Sequence, residues 1–262
     1  MMPTSVSLPA RVPRPGLSGT ALKRLACLSM LLDHIGASCL EAGILTPNGG
    51  ALTLFAPPPA GTPAGLQSVY WCDAVLRLIG RLAFPIYCFL LVEGFTHTHS
   101  RARYALRLTA FALLSEVPFD AAFFRTLCTP YYQNVYFTLL LGLVCLMLLQ
   151  RCEGDGFLRA LARVGAVLLC GGAALLLHTD YDFFGVAFIA LLYLLRGRPR
   201  LCTAAGCLAL AWEVTAPLAF LPIRAYNGRR GRCPAWEQYA FYLFYPAHLT
   251  LLALITNFLL VR

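Results

Sequence analysis

The sequence predicts an all-α, polytopic integral membrane bundle of about eight transmembrane helices with a cytoplasmic N-terminus. Three observations carry that prediction. Hydrophobic residues make up 59% of the 262 residues and charged residues only 13%, about half the charged share of a soluble domain. The apolar residues fall into stretches near the roughly 20 residues that a helix needs to cross a bilayer. Lys and Arg are unevenly shared between alternate connections, as the positive-inside rule requires. A soluble enzyme, a nucleic-acid-binding module and a disordered tail are excluded for the whole chain, because so few charges cannot cover a soluble surface. The net charge of +9 therefore reads as topology and not as a nucleic-acid footprint.

Residues 1–21 are expected to be a disordered cytoplasmic lead, since MMPTSVSLPARVPRPGLSGT has four Pro, two Arg and no apolar core. It lacks the apolar region of a signal peptide. Residues 22–262 are expected to form a single transmembrane domain, with spans near 22–42, 75–95, 104–124, 134–150, 158–177, 183–196, 201–221 and 237–260. The sixth is short, which suits a broken or re-entrant segment. Under this plan the cytoplasmic side holds 14 basic residues and the opposite side 7. The connection at 43–73, containing APPPAGTPAG, has no Lys or Arg and is expected to be non-cytoplasmic. One segment breaks the rule: YNGRRGR, with Arg224 before it, falls on the non-cytoplasmic side. Either these arginines point into the protein toward an anion, or a helix has been miscounted.

Eleven cysteines are present. Cys27, Cys88, Cys145, Cys170 and Cys207 read as small buried hydrophobes. Cys39, Cys72, Cys128 and Cys233 fall near non-cytoplasmic ends, where one pair has the opportunity to bridge. No metal-ligand spacing is present, and no metal is expected; His97-Thr98-His99 reads as a solvated turn.

Ionisable groups at membrane depth cost at least ~2.5–3.5 kcal/mol unless paired or hydrated, which makes each one a functional candidate. Asp33 and His34 sit in the middle of the first segment. Arg77 and Arg81 share one face of the second, and Glu116 and Asp120 share one face of the third. These four are expected either to tie the two helices together as ion pairs or to surround a water-filled pocket. Adjacent helical residues diverge by about 100°, so Asp33 and His34 are not expected to serve one structural partner. Tyr131, Tyr132, Gln133 and Asn134 precede the fourth segment, and Asp180, Tyr181 and Asp182 the sixth. Pro85 and Pro246 are expected to kink their helices and open cavities; His248 lies just beyond Pro246.

The motifs DHIG, IGRLAFPIYCFLLVEGFTHT, SEVPFD, QNVYFTLLLG, DYDFFG, YNGRRG and FYLFYPAHL together resemble the TraX family, in order and over nearly the whole chain from residue 23. Members are known as conjugal-transfer pilin acetylation proteins, within the broader transmembrane acyl transferases. The resemblance implies a multi-pass protein of a bacterial inner membrane that moves an acetyl group from cytoplasmic acetyl-CoA to an acceptor at or across the membrane. Lys23, ten residues and then His34 also look like the basic-x10-His arrangement of membrane acyltransferases that decorate polysaccharides. The long 43–73 loop is a departure that puts the pilin acceptor in doubt; a protein N-terminus, a glycan and a small amine all stay open.

With that chemistry, His34 is the candidate general base, because imidazole titrates near neutrality, or in a ping-pong route the acetyl carrier. Asp33 is placed to orient His34 or the acceptor. Arg81 or Asn134 is a candidate for stabilising the oxyanion. Lys23, Arg24, Arg101, Arg103 and Arg107 are candidates for the donor phosphates, as are Arg229 and Arg230 if their loop reaches the donor. Tyr132, Gln133, Asp180, Asp182, Tyr226, Asn227, Tyr245 and His248 are candidate pocket residues. Membrane lipids are the other expected partners, and the chain is expected to be a monomer or homodimer. The rival functions are a transporter or flippase for a small anionic or lipid-linked solute, which buried charges also suit, and a non-enzymatic assembly component.

Overall fold

A computed structural model describes residues 15–48, 58 and 60–260. The lead at residues 1–14, with Arg11 and Arg14, most of the Pro-rich stretch between 49 and 59, and Arg262 lie outside the described residues.

The described chain is all helical. Helix α1 (Gly19–His34) starts where the Ser18 hydroxyl accepts from the Ala21 amide at 3.2 Å, the usual N-cap arrangement. Immediately after His34 it widens into a π-helix, Ile35–Leu45. Helices α2 (Ala64–Gly80) and α3 (Ala83–His97) follow one another across a turn at Arg81–Leu82. Pro85 explains that break, since it has no N–H to donate to the Arg81 carbonyl one turn back. The chain continues through α4 (Arg101–Phe123), α5 (Val135–Arg151), α6 (Phe157–Leu176) and α7 (Asp182–Leu194). Then come α8 (Pro199–Ala209), two 3₁₀ turns, α9 (Phe220–Arg224) and α10 (Ala235–Leu254), which runs through Pro246 and ends in a second π-helix, Ile255–Leu260.

Contacts along the helices define two ends. The first helix runs antiparallel to α2–α3: the Gly36 backbone meets Asp73 and Arg77, the Ser29 hydroxyl donates to the Ile79 carbonyl at 2.7 Å, and Cys27 meets Tyr87 at 3.0 Å. The close crossing depends on Gly80, because a Cβ there would lie 2.2 Å from the Asp33 Cβ. Helix α10 lies beside α4 in the same direction, with Arg107 near Tyr242 and Asn257 donating to the Ala121 carbonyl. Helices α5, α6 and α7 pack together on the other side of α3. The connection at 131–134 zips onto the 178–182 turn, where the Gln133 amide donates to the His178 carbonyl and the Asp180 amide donates to the Gln133 carbonyl, both at 2.9 Å.

Two expectations about topology are corrected. Among the described residues four helical stretches, not eight, are long and apolar enough to cross a membrane: Gly19–Leu45, Ala64–His97, Phe157–Leu176 and Ala235–Leu260. At 1.5 Å per residue, the 13 residues of α7 cover about 20 Å of a core about 30 Å thick. The helix α4 is long enough at 23 residues, but Arg101, Arg103, Arg107, Glu116 and Asp120 lower its apolarity.

The second correction concerns 201–221, which is not a continuous helix. Helices α8 and α9 fold back on each other as a hairpin, with the Phe220 ring against Gly206 so closely that a Cβ would sit 2.1 Å from it. At the tip Thr215 donates to the Leu78 carbonyl at 2.6 Å, and Val214 takes a φ of 56° that a β-branched residue rarely adopts. The segment thus enters and leaves at the same end. Accordingly the YNGRRGR loop lies against the start of α1, where Leu17 donates to the Ala225 carbonyl, and Gly19 and Thr20 to those of Arg229 and Arg230, at 2.7–2.8 Å. The loop is on the N-terminal side, opposite to the expected one.

With the hairpin recognised, the charge pattern is one-sided. Fifteen described basic residues (Lys23, Arg24, Arg101, Arg103, Arg107, Arg151, Arg159, Arg163, Arg196, Arg198, Arg200, Arg224, Arg229, Arg230 and Arg232) belong to the end that holds the start of α1. Arg125 is at the other end, and Arg77 and Arg81 are interior. All eleven cysteines are free thiols, so no pair among Cys39, Cys72, Cys128 and Cys233 is bridged, and Cys233 sits at the basic end, not at the end expected for it.

Candidate functional site

A cavity of about 580 Å³ runs between α1, α3, α4, α5 and α10. Lys23, Arg107 and Arg230 line it at the basic end, while Asp33, His34, Asp180 and Tyr181 line it at the inner end. From Lys23 to His34 the rise along α1 is about 16 Å. The wall between is largely aromatic: Tyr87, Tyr104, Tyr136, Phe241, Tyr242 and Tyr245. Lys23 lies over the rings of Phe241 and Tyr242, at 4.8 and 5.3 Å, and Arg107 stands 5.9 Å from the Tyr242 ring. Two of the three cations, Lys23 and Arg107, are thus held at the mouth by aromatic faces. Backbone amides at the start of α1 are already used by Ser18 and by the Arg229 and Arg230 carbonyls, so an anion at the mouth would be met by side chains.

At the inner end His34 bonds to no carboxylate among the described residues. Its Nδ1 lies 2.7 Å from Nε2 of His248, whose Nδ1 lies 2.6 Å from the Phe244 carbonyl. Phe123 and Tyr245 stand edge-on to the His34 ring at 5.2 and 5.8 Å. Asp33 turns the other way, accepting from Arg77 through Oδ2, while its buried Oδ1 has no hydrogen-bond partner. Asp33 therefore does not orient the imidazole directly.

The interior ion pairs differ from those expected. Arg77 pairs with Asp33 and, at 3.3 Å, with Glu41, while Arg81 pairs with Glu213 at 3.1 Å. Glu116 instead meets Asn134, and Asp120 accepts from the Thr129 amide at 2.6 Å. The pairing expected between the second and third helical segments is absent because α1 and the hairpin tip, not α4, adjoin α2 at these residues. Glu213 and Glu41 were missed by sequence reasoning. The signal was present, since Glu213 is a lone acid in the apolar run 201–221.

Of the other candidate residues, Tyr226 and Tyr245 line the cavity together with Asp180. Asp180 accepts from the Tyr132 hydroxyl at 2.8 Å. Burial pushes the Asp180 carboxyl up from 3.8 to about 6, against the opposing pull of that hydrogen bond. The positive φ values of His178, Tyr181 and Asp182 shape the turn that presents Asp180 and Tyr181 to the cavity. Asn134 is fully buried, capping α5 and bonding the Ala112 carbonyl, and is outside the cavity wall. Neither Arg81, held by Glu213, nor Gln133, Asp182 and Asn227 reach the wall. The Asn227 side chain instead donates to the Gly16 carbonyl at 3.2 Å. At the mouth, Arg24 is engaged by Glu237 at 2.6 and 2.9 Å, and Arg101 lies over Phe95. Arg101, Arg103 and Arg229 are likewise outside the wall. Among the described residues no cluster of three or more His, Cys, Asp or Glu is placed to hold a metal ion.

The fold and cavity define a class: a helical membrane protein with a largely aromatic-walled chamber that runs from its basic end to ionisable groups in the interior. The family sequence model described as TraX protein matches residues 18–256. The chain belongs to the TraX family. It is also 30% identical over 273 residues to the probable fimbrial assembly protein FimC, serogroup H1, of Dichelobacter nodosus, covering 92% of this chain and 97% of that protein. No solved structure matches with significance. Family membership and the apolar helices support a membrane acyltransferase-type protein, multi-pass in a bacterial inner membrane.

Proposed function

We propose that this protein is a membrane acetyltransferase that takes its acetyl group from cytoplasmic acetyl-CoA and passes it to an amine or hydroxyl, with His34 as general base. The observation that carries this reading is a continuous cavity lined both by three cations at the Arg-rich end and by His34 in the interior. By the positive-inside rule that end faces the cytoplasm, where the donor is. Lys23, Arg107 and Arg230 suit the donor's phosphates, which arginine grips through forked hydrogen bonds. The aromatic passage, about 16 Å long along α1, suits a pantetheine arm, whose thioester would then reach the imidazole. The acceptor's N–H or O–H gives its proton to His34 as the nitrogen or oxygen attacks the thioester carbon. The C–S bond breaks, and the proton passes from His34 to the departing thiolate. Asp33 Oδ1 and Asp180 hold the acceptor at the inner end. The fimbrial assembly role in the relative's name fits a protein acceptor.

The test is free thiol released from acetyl-CoA by the protein in nanodiscs, with an acceptor peptide bearing a free N-terminal amine and with a hydroxyl acceptor. Release that depends on acceptor and falls by at least about 10²-fold in His34→Ala is expected. Equal release by His34→Ala, with the protein inserted and folded, contradicts the assignment. A transporter would release no thiol with any acceptor.

A further inference from the structure

We propose that His248 is a positioning residue that locks His34 into the tautomer with its proton on Nδ1, so that Nε2 presents a lone pair to the cavity. The assignment rests on His34 as proton acceptor, but its geometry stands apart from any substrate. A backbone carbonyl can only accept, so the His248 nitrogen 2.6 Å from the Phe244 oxygen, Nδ1, carries a proton. Both rings sit among Phe123, Phe244 and Tyr245, and the two imidazoles stack at 5.0 Å. Even one positive charge buried among these aromatic rings would be expensive, so both rings rest neutral. Neutral His248 with its proton on Nδ1 has only a lone pair at Nε2. His34 Nδ1, 2.7 Å away, therefore donates to it.

The remaining nitrogen, Nε2 of His34, makes no hydrogen bond to any described residue, and His34 is the one of the two rings that lines the cavity. The chain Phe244 carbonyl, His248, His34 thus does for the base what a buried carbonyl or carboxylate does for many catalytic histidines: it chooses the tautomer and fixes the ring. When His34 takes the acceptor's proton on Nε2, the Nδ1–H bond to His248 becomes charge-assisted and strengthens. No proton needs to leave along the chain, since it returns from Nε2 to the thiolate.

The test reads the tautomer directly, by ¹⁵N resonances of the histidine rings in nanodiscs, with His34→Gln to assign His34 among the five histidines. The expected wild-type pattern is a protonated Nδ1 and a bare Nε2 on His34, lost or mixed in His248→Phe, which keeps a ring but offers no acceptor. Thiol release should agree: in His248→Phe kcat falls by about 10²-fold while KM for acetyl-CoA stays within about twofold. His248→Gln, whose amide oxygen can accept from Nδ1, recovers most of the loss. A wild-type His34 protonated on Nε2, an unchanged pattern in His248→Phe, or equal losses in the Phe and Gln variants would overturn the proposal. The expected tautomer in a protein that cleaves no thioester would overturn the acetyltransferase reading and uphold this one.

Discussion

At the scale of single residues, the interior charges divide into those that shape the chamber and those that face it. Arg81 and Glu213 are shaping residues: both side chains are largely buried, at 16% and 6% exposure, and neither lines the cavity. Removing one partner of such a pair leaves the other charge uncompensated, so Glu213→Ala is expected to destabilise the protein by about 3–5 kcal/mol. Thermal unfolding in detergent measures this; a shift near zero would show the pair to be dispensable. Asp180 faces the chamber, and its raised ionisation range sets a sign. Because the folded state keeps the proton up to about pH 6 and the unfolded chain releases it near 3.8, stability from this group is lost as pH rises through that window and is level above it. The difference between wild type and Asp180→Asn should therefore grow between those values and then stay constant. An offset that is the same at every pH would contradict that ionisation. His34 and Asp33 were legible in the sequence as ionisable groups within an apolar run. Their partners were not, because which side chain meets His34 depends on how α10 is placed, some 214 residues further on.

At the scale of elements, the crossing of α1 and α2 sets where Asp33 and His34 sit. Gly80→Ala would place a methyl 2.2 Å from the Asp33 Cβ, and the expected cost is about 1–3 kcal/mol from forced separation of the helices. Unfolding measurements check it, with unchanged stability as the contrary result. The hairpin of α8 and α9 is the element that sequence periodicity misread. Its residues are apolar enough to count as a span, and the signs against a span were local: Glu213, Pro217 and Pro222 in one short stretch. Once that segment turns back, the arginines of YNGRRGR need no special exemption from the positive-inside rule. Single-cysteine proteins keeping Cys233 or Cys128 test the placement. In intact cells an impermeant maleimide is expected to label the Cys128 form and spare the Cys233 form; labelling of both, or of Cys233 alone, would return the loop to the opposite side.

For the whole molecule, composition was enough to establish a helical membrane protein, and the ordered motifs were enough to point to the TraX family. The number of spans was not, since α5 and α7 are apolar but shorter than a full crossing. Nor was the chamber, which is assembled from five helices far apart in the chain. Its mouth uses Lys23, Arg107 and Arg230, cations drawn from both sets of candidate phosphate-binding residues, and leaves Arg24, Arg101, Arg103 and Arg229 outside the wall. The account as a whole requires a thioester to pass from that mouth to the imidazole. A structure in nanodiscs with a non-hydrolysable acetyl-CoA analogue measures this most directly. Phosphates among Lys23, Arg107 and Arg230, with the acyl carbonyl beside His34, is the result predicted. An analogue bound elsewhere, or a chamber that stays empty at saturating analogue, would contradict it.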